Sequence, residues 1–345
     1  MNCEKCSIPD ADLFVGRLTA KSIAPLYDLT FGPDEVRDWG KEVEELRQLA
    51  RELWAVCLRG LVERLAKQRK GKGFRDTLFE VLVARHLLRL GATVGYHPSE
   101  YGSSPVEFLV RVADHRALIE CGHQSDDWFK AIEGKVRSRL KGGSGIDVLL
   151  CVPEVLDRGD GDLIEKRLPA DVLGCAEQLE IGALFKGKLV GGRLEVRIRR
   201  TAGSRPSSVE WDWERTNWQD PTGLDRRRLL GLWRKTMKKF EAAAADAGDA
   251  LRVVILGCEG GAGHRRWTQT LVRELLGADA GGQSARQYVD AVVLAWRTSL
   301  RLVEDLQFVE PTVLTGEAER QARLQDLFER LGICARPRED ERIVS

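Results

Sequence analysis

The chain reads as an α/β protein in which a mixed β-sheet is flanked by helices. Three observations predict this class. Between residues 34 and 90, apolar side chains recur at roughly every third or fourth position with charges between them, the spacing of amphipathic helices. Residues 92–122 then hold three short apolar runs, ATVGYH, VEFLVRV and RALIECG, the last two joined only by Ala113-Asp114-His115. Beyond Leu224, helix-like and strand-like stretches alternate again, as in α/β folds.

Residues 1–33 are broken by Pro9, Gly16, Pro25 and Pro33 and read as loop with a little local structure. Asp34 is placed to cap a helix over 34–70, with Trp39, Val43, Leu46, Leu49 and Leu53 among its apolar positions. Gly71-Lys72-Gly73 breaks that helix, and a second runs over 74–90 until Gly91 stops it. Strands follow at 92–97, 106–112 and 116–122, the last two as an antiparallel hairpin. After a helix at 126–140, IDVLLCVP (146–153) is a continuous apolar run, the pattern of a strand buried on both faces. A short helix over 161–180 and a hairpin over 186–200, turning at Gly191-Gly192, come next. Then a turn-rich linker leads to 209–220 with Trp211, Trp213 and Trp218. The helix from Leu224 carries a dense basic face, strands are expected at 251–257 and 288–296, and a last helix at 316–332. The organisation is therefore 1–73, a loop and helical segment; 74–153, an α/β core; 154–222, a hairpin and linker insertion; and 223–345, a second α/β half that either extends the first sheet or forms its own.

Composition narrows the function classes. Apolar residues make up 43% and charged residues 31% of the 345, which suits a globular chain. A net charge of +1 means that any nucleic-acid surface must be a local patch. No apolar run reaches the length of about 18 residues that a membrane span needs, and the first residues lack an apolar signal core, so the expectation is a cytoplasmic protein without membrane partners. The eight cysteines are scattered and do not form a disulfide framework. Cys3 and Cys6 form a CxxC without a second ligand pair, so two free thiols are the simpler reading and a structural zinc the alternative.

Three carboxylates carry the chemistry. Glu80 lies on the helix over 74–90, Glu107 opens an apolar strand and Glu120 ends the next one. A carboxylate in an apolar strand needs a partner, and acids on neighbouring antiparallel strands come within a few ångströms of each other. Hard oxygen ligands that converge this way suit Mg2+ or Mn2+, and such an ion can activate water against a phosphodiester. The order helix acid, then Pro105-Val106-Glu107, then Glu120-Cys121-Gly122 resembles the restriction-endonuclease-like, or PD-(D/E)xK, superfamily over roughly 70 of the 345 residues. The resemblance implies a restriction-endonuclease-like core and a metal-dependent nuclease acting on DNA or RNA in a restriction, defence or mobile-element system. It also implies metal ligation by Glu107 and Glu120 and a catalytic set of Glu80, Glu107, Glu120 and a lysine. The family's lysine position is Gly122 here, so the lysine is expected from the following helix, at Lys135 or Lys130, with His123 and Gln124 as other polar groups at that strand end. If nothing substitutes, the chain is a non-cutting member that binds nucleic acid or scaffolds a protein assembly.

Cationic clusters give the nucleic-acid expectation its surface. Lys130, Lys135, Arg137, Arg139 and Lys141 form one; Arg193, Arg197, Arg199 and Arg200 a second; and Arg226–Arg228, Arg234, Lys235, Lys238 and Lys239 a third. Lys130, Arg137, Arg139, Lys141, Arg197, Arg199, Arg234 and Lys238 are the candidate phosphate contacts, and the three tryptophans either stack on bases or pack in a core. The glycine-rich CEGGAGH (258–264) lacks the Lys-Ser/Thr of a P-loop; it reads as a tight strand-to-helix connection, with phosphate binding by its amides as the alternative.

Overall fold

The computed structural model describes residues 8–23, 38–69, 71–98, 106–124, 127–140, 145–202, 207–212, 215–217, 224–258, 268–272, 274, 288–297, 301–309 and 311–333. The chain is a mixed α/β protein and divides into two compact units: unit 1 is residues 1–123, 231–258 and 273–345, and unit 2 is residues 124–230 and 259–272. The sequence places its divisions at 73, 153 and 222, whereas the structure divides the chain after His123 and before Gly231.

Unit 1 begins with helix α1 (Ile8–Val15), in a region that the sequence reads as loop. Ala11 and Val15 are buried, and Phe14 stacks on Trp54 with ring centroids 5.7 Å apart, so packing stabilises a helix that Pro9 disguises. The single helix expected over 34–70 is two helices, α2 (Trp39–Ala55) and α3 (Arg59–Lys67). Asp38, rather than Asp34, caps α2 by accepting the Lys41 amide at 3.1 Å; Asp34 lies outside the described residues. Cys57 ends α2 with φ of 67°, while the Leu58 amide donates to Leu53 O at 2.9 Å and the Cys57 amide to Trp54 O at 3.1 Å. That paired closure is a Schellman turn, and glycine is its usual occupant. Helix α4 (Gly71–Arg89) ends in the same way at Gly91, with φ of 80°.

Strands β1 (Thr93–Tyr96), β2 (Phe108–Val112) and β3 (His115–Gln124) form an antiparallel meander, in which Val112 faces His115 and Phe108 faces Ile119. The chain returns to this sheet through helix α7 (Leu224–Ala247) and strand β8 (Leu251–Cys258), which lies beside β3. Strand β9 (Ala291–Arg297) runs parallel to β8, and β10 (Leu306–Phe308) and β11 (Thr312–Val313) pair with β9. The C-terminal half therefore extends the first sheet, and helix α8 (Ala318–Arg330) completes the described part of the unit. Leu78, Leu82, Val83 and Leu87 of α4 are fully buried in the core over the sheet with Val110, Ile119, Ile255 and Val293.

Unit 2 is a four-stranded sheet with the order β5 (Leu184–Leu189), β6 (Leu194–Arg200), β4 (Ile146–Cys151), β7 (Ser208–Trp211). The expected strand at 146–153 thus belongs here, not to the sheet of residues 92–122, because β6 and β7 give it hydrogen-bonding edges on both sides. Val148, Leu150, Val196, Ile198 and Val209 pack with Ile132 and Val136 of helix α5 (Asp127–Arg139) and Ile164 and Leu168 of helix α6 (Arg158–Glu177). The alternate positions Asp147 and Leu149 are half-buried, so the strand has one core face rather than two. Trp211 is an interior residue: its indole donates to Phe129 O at 3.1 Å, and Phe129 meets it edge-on. Trp213, Trp218, Cys3, Cys6, Lys141 and all of CEGGAGH except Cys258 lie outside the described residues.

Candidate functional site

Glu107 and Glu120 meet because of strand register. Phe108 pairs with Ile119, and one more step places Glu107 opposite Glu120 at the end of the β2–β3 ladder. Each side chain then accepts an amide from the other strand: Cys121 N–H donates to Glu107 Oε2 at 3.1 Å, and Glu107 N–H to Glu120 Oε2 at 3.4 Å. The remaining oxygens turn to one cation. Lys239 Nζ donates to Glu107 Oε1 at 2.7 Å and to Glu120 Oε1 at 2.5 Å. Exposure is 6% for Glu107, 1% for Glu120 and 7% for Lys239.

Lys239 comes from α7, and Gly122 explains why. A Cβ at position 122 would lie 2.2 Å from Leu232 Cδ2 and 3.0 Å from Leu256 Cδ2. Helix α7 and β8 thus fill the volume that a side chain at 122 would need, and the same helix delivers an ammonium about two turns further along. The sequence assigns Lys239 to a surface basic face, but Lys239 is buried while Arg234, Lys235 and Lys238 are exposed. One signal for this exists in the sequence: Lys239 continues the row Leu232, Thr236, Lys239, Ala243, which has the spacing of a core-facing stripe.

Glu80 approaches from α4 and is 4% exposed. Arg64 of α3 donates to its Oε2 at 2.9 Å and to the Tyr96 hydroxyl at 3.0 Å, and that hydroxyl lies 3.4 Å from the same carboxylate oxygen. Neither Arg64 nor Tyr96 stands out in the sequence, since each finds Glu80 only through packing. His97 follows with φ of 46°, stacks on Tyr96 and donates its amide to Glu107 O at 2.8 Å, and burial lowers its imidazole pKa.

Burial sets the protonation of these acids. Desolvation raises the Glu80 pKa to about 7 against the opposing pull of Arg64. Desolvation, followed by the neighbouring Glu107, raises that of Glu120 to about 9. Glu107 is desolvated too, but hydrogen bonding with Glu120 and the charge of Lys239 outweigh the burial and lower it. The pair therefore holds one proton near neutrality, balanced by a Lys239 whose pKa rises because the two carboxylates outweigh its own desolvation.

The other candidates have partners or settings of their own. Lys135 belongs to unit 2 and forms an ion pair with Glu165. Arg137 pairs with Glu133 and donates to Val209 O at 3.3 Å, and Arg139 is exposed on the same helix. Lys130 lies within α5, but its side chain is outside the described residues. Arg197 and Arg199 are exposed on β6. His123 lies 3.5 Å from Asp76 and against Phe79 of α4.

Among the described residues, no group of three or more His, Cys, Asp or Glu side chains is arranged to hold a metal ion. Nor is any described helix long and apolar enough to cross a membrane. Comparison with known proteins finds no matching family model, no matching curated protein and no matching solved structure.

Proposed function

We propose that this protein is a metal-dependent nuclease whose unit 1 has a restriction-endonuclease-like core. The observation that carries the reading is the meeting of Glu107, Glu120 and Lys239, two strand-end acids and an ammonium, with Glu80 on the adjacent helix. Lys239 stands in for the lysine that the resemblance places two residues after Glu120.

The donors fit Mg2+ or Mn2+ in kind. Two carboxylates suffice for an ion that keeps several waters and takes phosphate oxygens from its substrate. Charge favours this as well: three buried carboxylates face the two cations Arg64 and Lys239, and desolvation holds Glu80 and Glu120 against ionisation in spite of them. Glu107 and Glu120 would hold the ion, which when bound would polarise a phosphoryl oxygen and acidify a water. Arg64 and Tyr96 hold Glu80 in place, and Lys239 supplies positive charge to the phosphate and its leaving oxygen.

A second reading is favoured by one observation: Lys239 satisfies both acids in a cluster that is nearly sealed from water. On that reading the cluster is a structural ion pair in a non-cutting, nucleic-acid-binding or scaffolding protein. Incubation of DNA and RNA with Mg2+ or Mn2+ decides between them. The nuclease reading expects metal-dependent cleavage that Glu107→Gln and Glu120→Gln each abolish while the fold is retained. Cleavage that survives both substitutions sinks the site, and a wild type that neither cleaves nor binds Mn2+ establishes the structural reading.

A further inference from the structure

Among the described residues of unit 2, helices α5 and α6 pack on one face of the sheet, and the other face carries an unusual charge arrangement. Lys186, Lys188, Arg197 and Arg199 all point outward from β5 and β6 and are exposed. Lys186 lies directly opposite Arg197 in the ladder. Like charges placed opposite each other on neighbouring strands destabilise a sheet, and the acids at hand do not relieve this pair. Glu195, opposite Lys188, is taken by Arg215 at 2.6 Å. Asp147, opposite Arg199, accepts the Ser208 hydroxyl at 2.8 Å. Other cations of this unit are engaged, Arg193 with Asp160 and Arg200 with Leu179 O. Lys186, Lys188, Arg197 and Arg199 form no ion pair or side-chain hydrogen bond with any described residue.

Four cations without an ion-pair partner among the described residues, on two adjacent strands and spaced about 7 Å apart along each, present an array of donors to a repeating anion. The half-buried Leu149 lies beside Arg197, and a depression of about 360 Å3 opens on this face between Lys186, Lys188, Arg197, the Arg215-paired Glu195, and Asp212 and Arg215. We propose that the outward face of β5 and β6 binds the phosphate backbone of a nucleic acid, with Lys186, Lys188, Arg197 and Arg199 as its phosphate contacts. An anionic backbone is the occupant that removes the Lys186–Arg197 repulsion, and the arginines bring forked donors suited to phosphate oxygens. The role of this surface rests on the nuclease reading, but its binding does not require cleavage or metal.

The test is fluorescence anisotropy of the full chain with labelled single-stranded and duplex DNA, in EDTA, across a salt series. Four phosphate contacts predict a log–log salt slope of about −3 to −4. Arg197→Ala/Arg199→Ala should weaken binding at least about tenfold and reduce the slope by about 1.5. Lys166→Ala/Arg167→Ala removes the same charge from the exposed side of α6 and should leave both unchanged. Melting temperatures of both variants report folding, and the Arg197/Arg199 variant should be as stable as wild type because it loses a repulsion. Wild-type binding by the Arg197/Arg199 variant, equal losses in the control, or a wild type that binds neither probe overturns the proposal. Binding that is intact in Glu120→Gln, without cleavage by wild type under Mg2+ or Mn2+, overturns the nuclease reading and leaves this surface standing.

Discussion

At the scale of single residues, the buried carboxylates make stability depend on pH. Glu80 and Glu120 have folded-state pKa values of about 7 and about 9, above their ordinary range. The native state therefore holds protons that the unfolded chain releases near pH 4.5, and stability is lost as pH rises through the window up to those values. Wild-type melting temperature should fall between about pH 5 and 9 from this source, and Glu120→Gln, which keeps the shape of the protonated acid, should flatten the upper part of that fall. A Glu120→Gln profile that parallels wild type would show that Glu120 is not the proton holder. Lys239 is the counterpart: Lys239→Met removes the cation from between two buried acids and should cost about 3–5 kcal/mol at neutral pH in denaturant unfolding, less in acid where both carboxyls are neutral. The two acids were legible in the sequence because a carboxylate in an apolar run demands a partner. Their partner was not, since Lys239 lies 132 and 119 residues away from them along the chain.

At the scale of elements, α7 has two tasks that one contact joins. Leu232 packs onto Gly122, and Lys239 closes on the acids from the same helix. Gly122→Ala should destabilise by about 1–3 kcal/mol through overpacking, and Leu232→Ala in the same chain should recover part of that loss; additive losses would show that the contact is not shared. The break between α2 and α3 offers a second case. Cys57 holds φ of 67° where glycine is favoured, so Cys57→Gly should keep or raise the melting temperature, whereas a β-branched Val should lower it by the equivalent of about 1–2 kcal/mol. Periodicity alone carries the pattern from α2 into α3 without interruption, because a Schellman turn written without glycine leaves no mark in the apolar spacing.

At the scale of the whole molecule, the division of the chain matters more than its element count. Residues 124–230 carry their own core, including Ile164, Leu168, Val196 and Ile198. Ile198→Ala should cost about 2–5 kcal/mol, and in calorimetry that loss should appear in the transition of unit 2, with the Glu107–Glu120–Lys239 cluster and its pH dependence unaltered. A uniform shift of all unfolding signals would show instead that the two cores melt as one.

The sequence by itself determined the mixed α/β class, the β2–β3 hairpin, the hairpin at Gly191-Gly192 and the pairing of Glu107 with Glu120, because these depend on periodicity, turn chemistry and short-range register. Only the tertiary structure decided which sheet each later strand joins, which lysine reaches the acids and which surface cations go without partners. Those depend on contacts across more than a hundred residues, and local patterns set the face that an element buries but not the neighbour that covers it.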